Sequence, residues 1–274
     1  MLLTFREGLE AALVVGIVMG YLIKIGQTRH IKTAWAGVGA AVLLSVALAG
    51  GLMAIGAELE GQAEQIFEGT TMFLAVIVLT WMIFWMRTQA RFLKQTLEHE
   101  VQAAVNTGTV GALFALTFLA VFREGVETAL FFGASAFVAD ATSALIGAVI
   151  GLAGAAIVGY GLYATTVRLD VRMFFNVTSV LLLFFAAGLL AYGVHEYQEA
   201  GLLPLTIEHL WDINFLLNEK SYLGEVLKAL FGYNGNPSLL EVVSYLAYWV
   251  VTLFGVRWWL ERQTRRTTAA KPLA

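Results

Sequence analysis

Long apolar runs limit what this chain can fold into. A helix needs about 20 apolar residues to cross a bilayer, whereas a spanning strand needs about 10 residues of alternating polarity. Only 14% of the 274 residues are charged, against roughly 25% in soluble domains. We therefore predict an all-α polytopic membrane protein, a single domain over residues 1–274 with seven transmembrane helices. The predicted spans are 2–23, 34–56, 67–86, 109–137, 142–166, 174–194 and 239–260.

Basic residues fall on alternate sides of the predicted spans. Most of the 17 Lys and Arg residues cluster on one side, namely Lys24, Arg29, Lys32, Arg87, Arg91, Lys94, Arg168, Arg172, Arg257, Arg262, Arg265, Arg266 and Lys271. Cytoplasmic loops carry the excess of Lys and Arg, so we predict that this side and the C-terminus face the cytoplasm, with the N-terminus outside. Trp81 and Trp85 at the cytoplasmic end of span three are predicted to be interfacial anchors.

One charged motif interrupts the apolar runs twice, as FREGLE at 5–10 and as FREGVE at 122–127. The likeness continues weakly beyond the motif, which indicates two internal repeats of three spans, about 1–87 and 109–194, before the seventh span. Because each repeat holds an odd number of spans, the second must insert upside down relative to the first. We therefore predict an inverted 3+3 repeat plus one extra helix.

The motif places acids at a helical spacing inside the membrane. Glu7 and Glu10 are three residues apart, as are Glu124 and Glu127, so each pair shares one face of its helix. An ionised side chain at the bilayer centre costs roughly 2.5–3.5 kcal/mol on insertion scales. Four such carboxylates need compensation, and we predict that the two pairs face one another around a metal ion.

The other motif residues are predicted to support this site. Arg6 and Arg123 supply two positive charges, which leaves two carboxylates uncompensated, and a bound cation would complete the balance. Gly8 and Gly125 remove a side chain between the acids, so we expect the two helices to cross closely there.

Oxygen ligands alone suit hard cations, and the spans contain neither Cys nor His, which argues against copper(I) or zinc. Iron, manganese, magnesium and calcium stay open. A bland alternative is a pair of buried Arg–Glu salt bridges that only fix helix packing, but two matched copies favour a metal site. A membrane diiron carboxylate enzyme is a further alternative, although such sites pair Glu with a Glu-x-x-His motif that the spans lack.

The loops predicted to lie outside are acidic. Glu68, at the outer edge of span three, is predicted to join the metal path, with Glu64, His195, Glu196 and Glu199 as weaker candidates. Apolar residues recur at near-helical spacing between 195 and 238, which predicts an amphipathic segment on the outer surface. The residues between spans three and four are predicted to form a cytoplasmic loop.

The two Arg-Glu-Gly-x-Glu motifs, in spans one and four of seven, resemble those of the oxidase-dependent iron transporter family. This family contains the bacterial EfeU-type ferric iron permeases and the fungal high-affinity iron permeases. The likeness extends to residues 79–86, 186–189, 199–202 and 231–233.

The resemblance implies high-affinity uptake of ferric iron across the bacterial cytoplasmic (inner) membrane, after a partner has oxidised ferrous iron. Iron would be the transported substrate, with no prosthetic group and no enzymatic activity. The implied partners are a periplasmic cupredoxin-like iron-binding protein and a haem peroxidase or other ferroxidase, and no nucleic acid is expected. The implied iron ligands and their supporting residues are Glu7, Glu10, Glu124, Glu127, Arg6 and Arg123.

Overall fold

The computed structural model describes residues 1–89, 92–107, 110–138, 141–164, 171–219 and 221–269. Its α-helices are α1 (Leu2–Lys24), α2 (Ile31–Glu58), α3 (Gln62–Gln89), α4 (Leu93–Asn106), α5 (Val110–Val138), α6 (Ala141–Ala164), α7 (Val171–Glu199), α8 (Tyr222–Phe231) and α9 (Leu239–Ala269). A short 3-10 turn, Thr28–His30, precedes α2. No strand occurs in these ranges, so the predicted all-α class is confirmed for them.

Several helices have the length and apolarity that a membrane span needs. Within the described residues they are Thr28–Glu58, Gln62–Met86, Ala141–Gly161 and Phe175–Glu199, and Leu239–Gly255 is a shorter apolar helix. The helices α1 and α5, predicted as spans one and four, each hold three charged motif residues, so their composition alone does not mark them as spans. The count of seven spans therefore stays a prediction.

The helices pack in pairs that are not consecutive in sequence. α1 lies along α6, α2 lies along α5, and α3 lies along α7, while α1 and α5 also contact each other. α9 packs against α7, and α8 packs against α7 as well. This arrangement brings the two motif helices together at the centre of the bundle and leaves α2 and α6 on their outer sides.

The motif glycines do not lie where the sequence analysis expected them. A Cβ at Gly8 would come 2.9 Å from the Cβ of Ala155 on α6, and a Cβ at Gly125 would collide with Ser45 on α2. The helical rotation of about 100° per residue explains the difference, since it turns each glycine roughly 130° away from the face that holds its two acids. The glycines therefore allow the α1–α6 and α2–α5 contacts rather than the α1–α5 crossing.

A helix, α4, occupies the region predicted as a loop between spans three and four. Its residues Leu97, Val101 and Ala104 are buried, and Val101 and Ala104 belong to one core cluster with Val18 of α1. Their spacing of four and three is typical of an amphipathic helix. The apolar stripe is narrow in an otherwise polar stretch, and a search for long apolar runs misses it.

The segment 195–238 is only partly helical. α7 continues to Glu199 and ends where Gly201 adopts a positive φ of 71°. Residues 202–219 contain no helix. The next helix is Tyr222–Phe231, and at its start the Ser221 hydroxyl accepts a hydrogen bond from the backbone N–H of Gly224. The left-handed glycine is a strong helix stop, and apolar periodicity alone does not register it.

Candidate metal site

Acids from both motifs meet between α1 and α5. Carboxylate oxygens of Glu7, Glu10 and Glu124 lie within 4.8 Å of one another. Opposite ligands of one hard cation are about 4–5 Å apart, since its bonds to oxygen are about 2.0–2.6 Å long. The three side chains are therefore close enough to bind a single ion. Glu127 lies on the same face of α5 as Glu124, and we call these four side chains the glutamate cage.

The cage is buried, and its oxygens are incompletely satisfied. The four glutamates expose only 1–8% of their surface. Within the described part of the chain, Oε2 of Glu7, Oε1 of Glu10, Oε2 of Glu124 and Oε2 of Glu127 are buried without a hydrogen-bond partner. Leaving a charged acceptor unsatisfied in a dry interior is costly. A cation bound by Glu7, Glu10 and Glu124, whose carboxylates are close enough to share one ion, would supply the missing partner.

Arg6 is fully buried beside the glutamate cage. Its Nη1 donates to Oε1 of Glu7 at 2.8 Å, and its Nη2 lies 2.8 Å from Oε1 of Glu10, outside good hydrogen-bond geometry. Nη1 also donates to the sulfur of Met82 on α3, and the guanidinium carbon is 5.6 Å from the ring centroid of Phe175 on α7. With no exposed surface, Arg6 is a fixed positive charge that joins three helices.

Arg123 is held more loosely. Its Nε donates to Oε1 of Glu127 at 3.1 Å, and its side chain is 38% exposed. The guanidinium carbon lies 4.1 Å from the ring centroid of Trp85 on α3, within the range of a cation–π contact. The two copies of the motif therefore have different surroundings, although their sequences nearly match.

Sequence analysis missed the roles of Met82 and Trp85. The two residues are three positions apart on α3, so they share one face of that helix, and each contacts one of the motif arginines. This spacing was the available signal. It could not be used from the sequence alone because nothing in α3 tells which of its faces turns toward the motif helices.

Glu68 is not part of the cage. It lies on α3 with Glu196, Glu64 and Glu199 as its electrostatic neighbours. Met82, which contacts Arg6, follows Glu68 by 14 residues on the same helix, a rise of about 21 Å. The structure therefore separates Glu68 from the four acids with which the sequence analysis grouped it.

Packed apolar side chains fill the intervening part of the bundle. Met72, Ala75 and Leu79 of α3 are fully buried and belong to one core cluster with Phe131 of α5 and Leu182 of α7. Such close packing excludes water and ions. The conformation seen here is therefore closed between the Glu68 group and the cage.

Another buried acid, Glu241 of α9, lies near the end of α7 that carries Glu196 and Glu199. Its Oε1 is 3.0 Å from Nδ1 of His195 and accepts from the backbone N–H of Ser238, and its Oε2 accepts from Nδ2 of Asn234 at 2.7 Å. The Ser238 hydroxyl accepts from the backbone N–H of Glu241 in return, which forms a capping box at the start of α9. These contacts attach α9 to α7.

Comparison with known proteins identifies the family. The sequence matches the iron permease FTR1 family over residues 1–264. It is 38% identical over 259 residues to the ferrous iron permease EfeU of Escherichia coli O6:H1, with 92% of each chain covered. It is 37% identical over 255 residues to the ferrous iron permease EfeU of Yersinia pestis, covering 92% of this chain and 90% of the relative.

No solved structure matches the chain. The family match confirms the resemblance predicted from the two motifs, and several apolar helices agree with an integral membrane protein. The family and these relatives are permeases, which are transporters rather than enzymes. The chain therefore belongs to the iron permease FTR1 family.

Proposed function

We propose that this chain imports iron across the cytoplasmic membrane by passing the ion through the glutamate cage. The observation that supports this most strongly is the set of four buried carboxylate oxygens, one from each cage glutamate, that have no hydrogen-bond partner within the described residues. Acids that served only to fix helix packing would be expected to have their oxygens satisfied by protein donors. Oε1 of Glu10 is ion-paired with Arg6, whereas the oxygens of Glu7, Glu124 and Glu127 point to a cation as their missing partner.

The charges of the cage favour a multivalent ion. Four carboxylates face two arginines, which leaves an excess of two negative charges when all four are ionised. Charges interact strongly in a low-dielectric interior, so a cation that neutralises this excess binds and one that leaves it unbalanced does not. A divalent ion meets this requirement, and so does a trivalent ion accompanied by one hydroxide.

We further propose ferric iron as the ion that enters the cage, after a partner oxidises ferrous iron outside. The support is the ligand set, since carboxylate oxygens suit hard cations. The relatives are named ferrous iron permeases, and in this proposal ferrous iron is the species that the partner oxidises. A periplasmic cupredoxin-like protein and a haem peroxidase, or another ferroxidase, are the proposed partners.

An inverted repeat is the proposed basis of the transport cycle. Exchanging α1 with α5 and α2 with α6 converts the α1–α6 pair into the α5–α2 pair, and both pairs are present. The motif glycines follow the same exchange, because Gly8 contacts α6 and Gly125 contacts α2. Transporters built on this plan bind substrate at the interface of the repeats and open to each side in turn.

The proposed route begins at the acidic group around Glu68 and ends on the cytoplasmic side. The negative charges of Glu64, Glu68, Glu196 and Glu199 would concentrate cations at the outer mouth. This direction rests on the predicted orientation, with the N-terminus outside and the C-terminus in the cytoplasm. The closed apolar packing between Met72 and Leu79 must then open to admit an ion.

Uptake of radiolabelled iron into vesicles that contain the purified protein tests the proposal. We expect Glu10→Gln and Glu127→Gln to abolish uptake, because each removes an ionised ligand while keeping the side-chain volume. Glu58→Gln, at the exposed end of α2, is the matched control and should transport normally. Uptake that survives both cage substitutions in correctly inserted protein would rule the cage out as the route.

Uptake measurements in the same vesicles show which ion is transported. Ferric iron is presented as a soluble weak chelate, and ferrous iron is presented with a reductant and without any oxidase. We expect uptake of ferric iron and little uptake of ferrous iron, manganese or magnesium. Equal uptake of manganese would favour the alternative of a general transporter for hard divalent ions, and uptake of ferrous iron alone would contradict the ferric proposal.

A further inference from the structure

The two motif arginines differ in how firmly they are fixed. Arg6 has no exposed surface and contacts Glu7, Glu10 and the sulfur of Met82. Arg123 makes one ion pair, with Glu127, and its side chain is 38% exposed. Arg123 lies midway along α5, and over a third of its side chain is left uncovered by protein. Of the two motif arginines, Arg123 is therefore the one more able to change position.

Trp85 opposes such a movement. Its ring faces the guanidinium of Arg123, with 4.1 Å between the guanidinium carbon and the ring centroid. Trp85 is itself half-buried and packs against the core cluster of α3, α5 and α7, so it is a fixed surface for the arginine. Trp81, one turn earlier on the same helix, is 70% exposed. The two tryptophans thus differ in position, although both were predicted to be interfacial anchors.

Arg123 competes with a bound ion for Glu127. Its Nε donates a hydrogen bond to Oε1 of Glu127 at 3.1 Å. Oε2 of the same carboxylate is buried without a hydrogen-bond partner in the described chain. A cation held by Glu127 shares that carboxylate with a positive charge, and this weakens its binding. If Arg123 turned away, Glu127 would hold the ion more tightly and release it more slowly.

We propose that Trp85 is a positioning residue for transport, whose ring keeps Arg123 against Glu127 so that the ion is released readily from the cage. The inference rests on the proposed function of the cage. It assigns to Trp85 a role in the rate of release, and it assigns to Arg123 the part of a competing charge rather than a purely structural counter-ion.

The first test is Trp85→Leu, with Trp81→Leu as the matched control on the same helix. A cation–π contact of this kind corresponds to about a fivefold change in an equilibrium. We expect Trp85→Leu to lower the maximal rate of iron uptake about fivefold without raising the KM, and to bind iron about fivefold more tightly at equilibrium. Trp81→Leu should match the unsubstituted protein in both measurements. Trp85→Phe keeps an aromatic face and should restore more than half of the maximal rate.

A double substitution distinguishes positioning from packing. In an Arg123→Gln background there is no guanidinium for the ring to hold, so adding Trp85→Leu should cause no further loss of maximal rate. A purely structural role of Trp85 would instead add its loss to that of Arg123→Gln, and this result would overturn the inference. So would a Trp85→Leu variant with a raised KM or with weaker iron binding.

Two further variants keep the test decisive. If Trp85→Leu fails to accumulate in the membrane, Trp85→Met, which fills more of the space without an aromatic face, takes its place with the same expected results. Glu127→Gln, measured in the same vesicles, tests the cage separately. Loss of uptake in Glu127→Gln together with a normal Trp85→Leu would refute only the role of Trp85. Normal uptake in Glu127→Gln would refute the cage, and this inference with it.

Discussion

Among the residues whose burial the structure describes, buried glutamates occur in two regions, the junction of α7 with α9 and the glutamate cage, and their surroundings differ. At the junction, both oxygens of Glu241 have partners in His195, Ser238 and Asn234. In the cage, each glutamate keeps one buried oxygen without a hydrogen-bond partner among the described residues. Burial alone therefore does not mark a candidate binding site, whereas a group of buried acceptors with too few donors does.

The largest effect is expected from a substitution that breaks the charge balance of the cage. Arg6→Met removes the buried charge that faces Glu7 and Glu10. Removing one member of a buried ion pair costs about 3–5 kcal/mol, so we expect a large loss of stability and of protein in the membrane. Denaturant unfolding of the purified protein measures it.

Arg123→Met is the matched control for that substitution. Because the Arg123 side chain is 38% exposed and makes one ion pair, with Glu127, the loss should be clearly smaller than for Arg6→Met. Equal losses for the two arginines would mean that the difference in their burial has no energetic consequence.

The next effect is expected at the junction of α7 with α9, where stability should change and transport should not. Glu241→Ala removes the capping box of α9 and the partner of His195. We expect a loss of about 1–3 kcal/mol in the free energy of unfolding, because hydrogen-bond donors are left unpaired. Iron uptake per inserted molecule should stay unchanged. A selective loss of uptake, with normal stability, would place Glu241 on the transport route and end the contrast between the two regions.

The smallest expected effect concerns the acidic group around Glu68. Glu68→Gln removes an ionisable carboxyl group at the proposed outer mouth, about 21 Å along α3 from the level of the cage. We expect the KM for iron to rise about twofold to threefold at low salt and the effect to fade at high salt, because long-range attraction is screened. The maximal rate should not change. Complete loss of uptake would instead make Glu68 a ligand in transit.

The sequence predicted much of the chemistry and less of its arrangement. The three-residue spacing of Glu7 and Glu10 is a local property of one helix, so their common face could be predicted without knowing the fold. The partners of Gly8 and Gly125 depend on which helices lie behind the acids, and the expected glycine crossing was wrong for that reason. Trp85 was assigned to the membrane interface because tryptophans concentrate there, and only the packing of α3 against α5 reveals its contact with Arg123.

The secondary structure shows the same limit. Long apolar runs were enough to predict a helix over 2–23 and another over 109–137 despite their motif charges, and α1 (Leu2–Lys24) and α5 (Val110–Val138) agree with those bounds. α4 was missed because a narrow apolar stripe such as Leu97, Val101 and Ala104 stands out only when the helical period is followed residue by residue. This omission comes from averaging hydropathy over a segment.

Iron binding to the purified protein tests most directly the claim that acids from two helices form one cage. We expect one tightly bound iron per chain, and we expect Glu7→Gln on α1 and Glu124→Gln on α5 each to weaken the binding of that same ion by at least about tenfold, the lower bound for loss of an outer-shell partner. Full-affinity binding in either variant would contradict the shared cage. So would two ions per chain of which each substitution removes only one, since α1 and α5 would then bind iron separately.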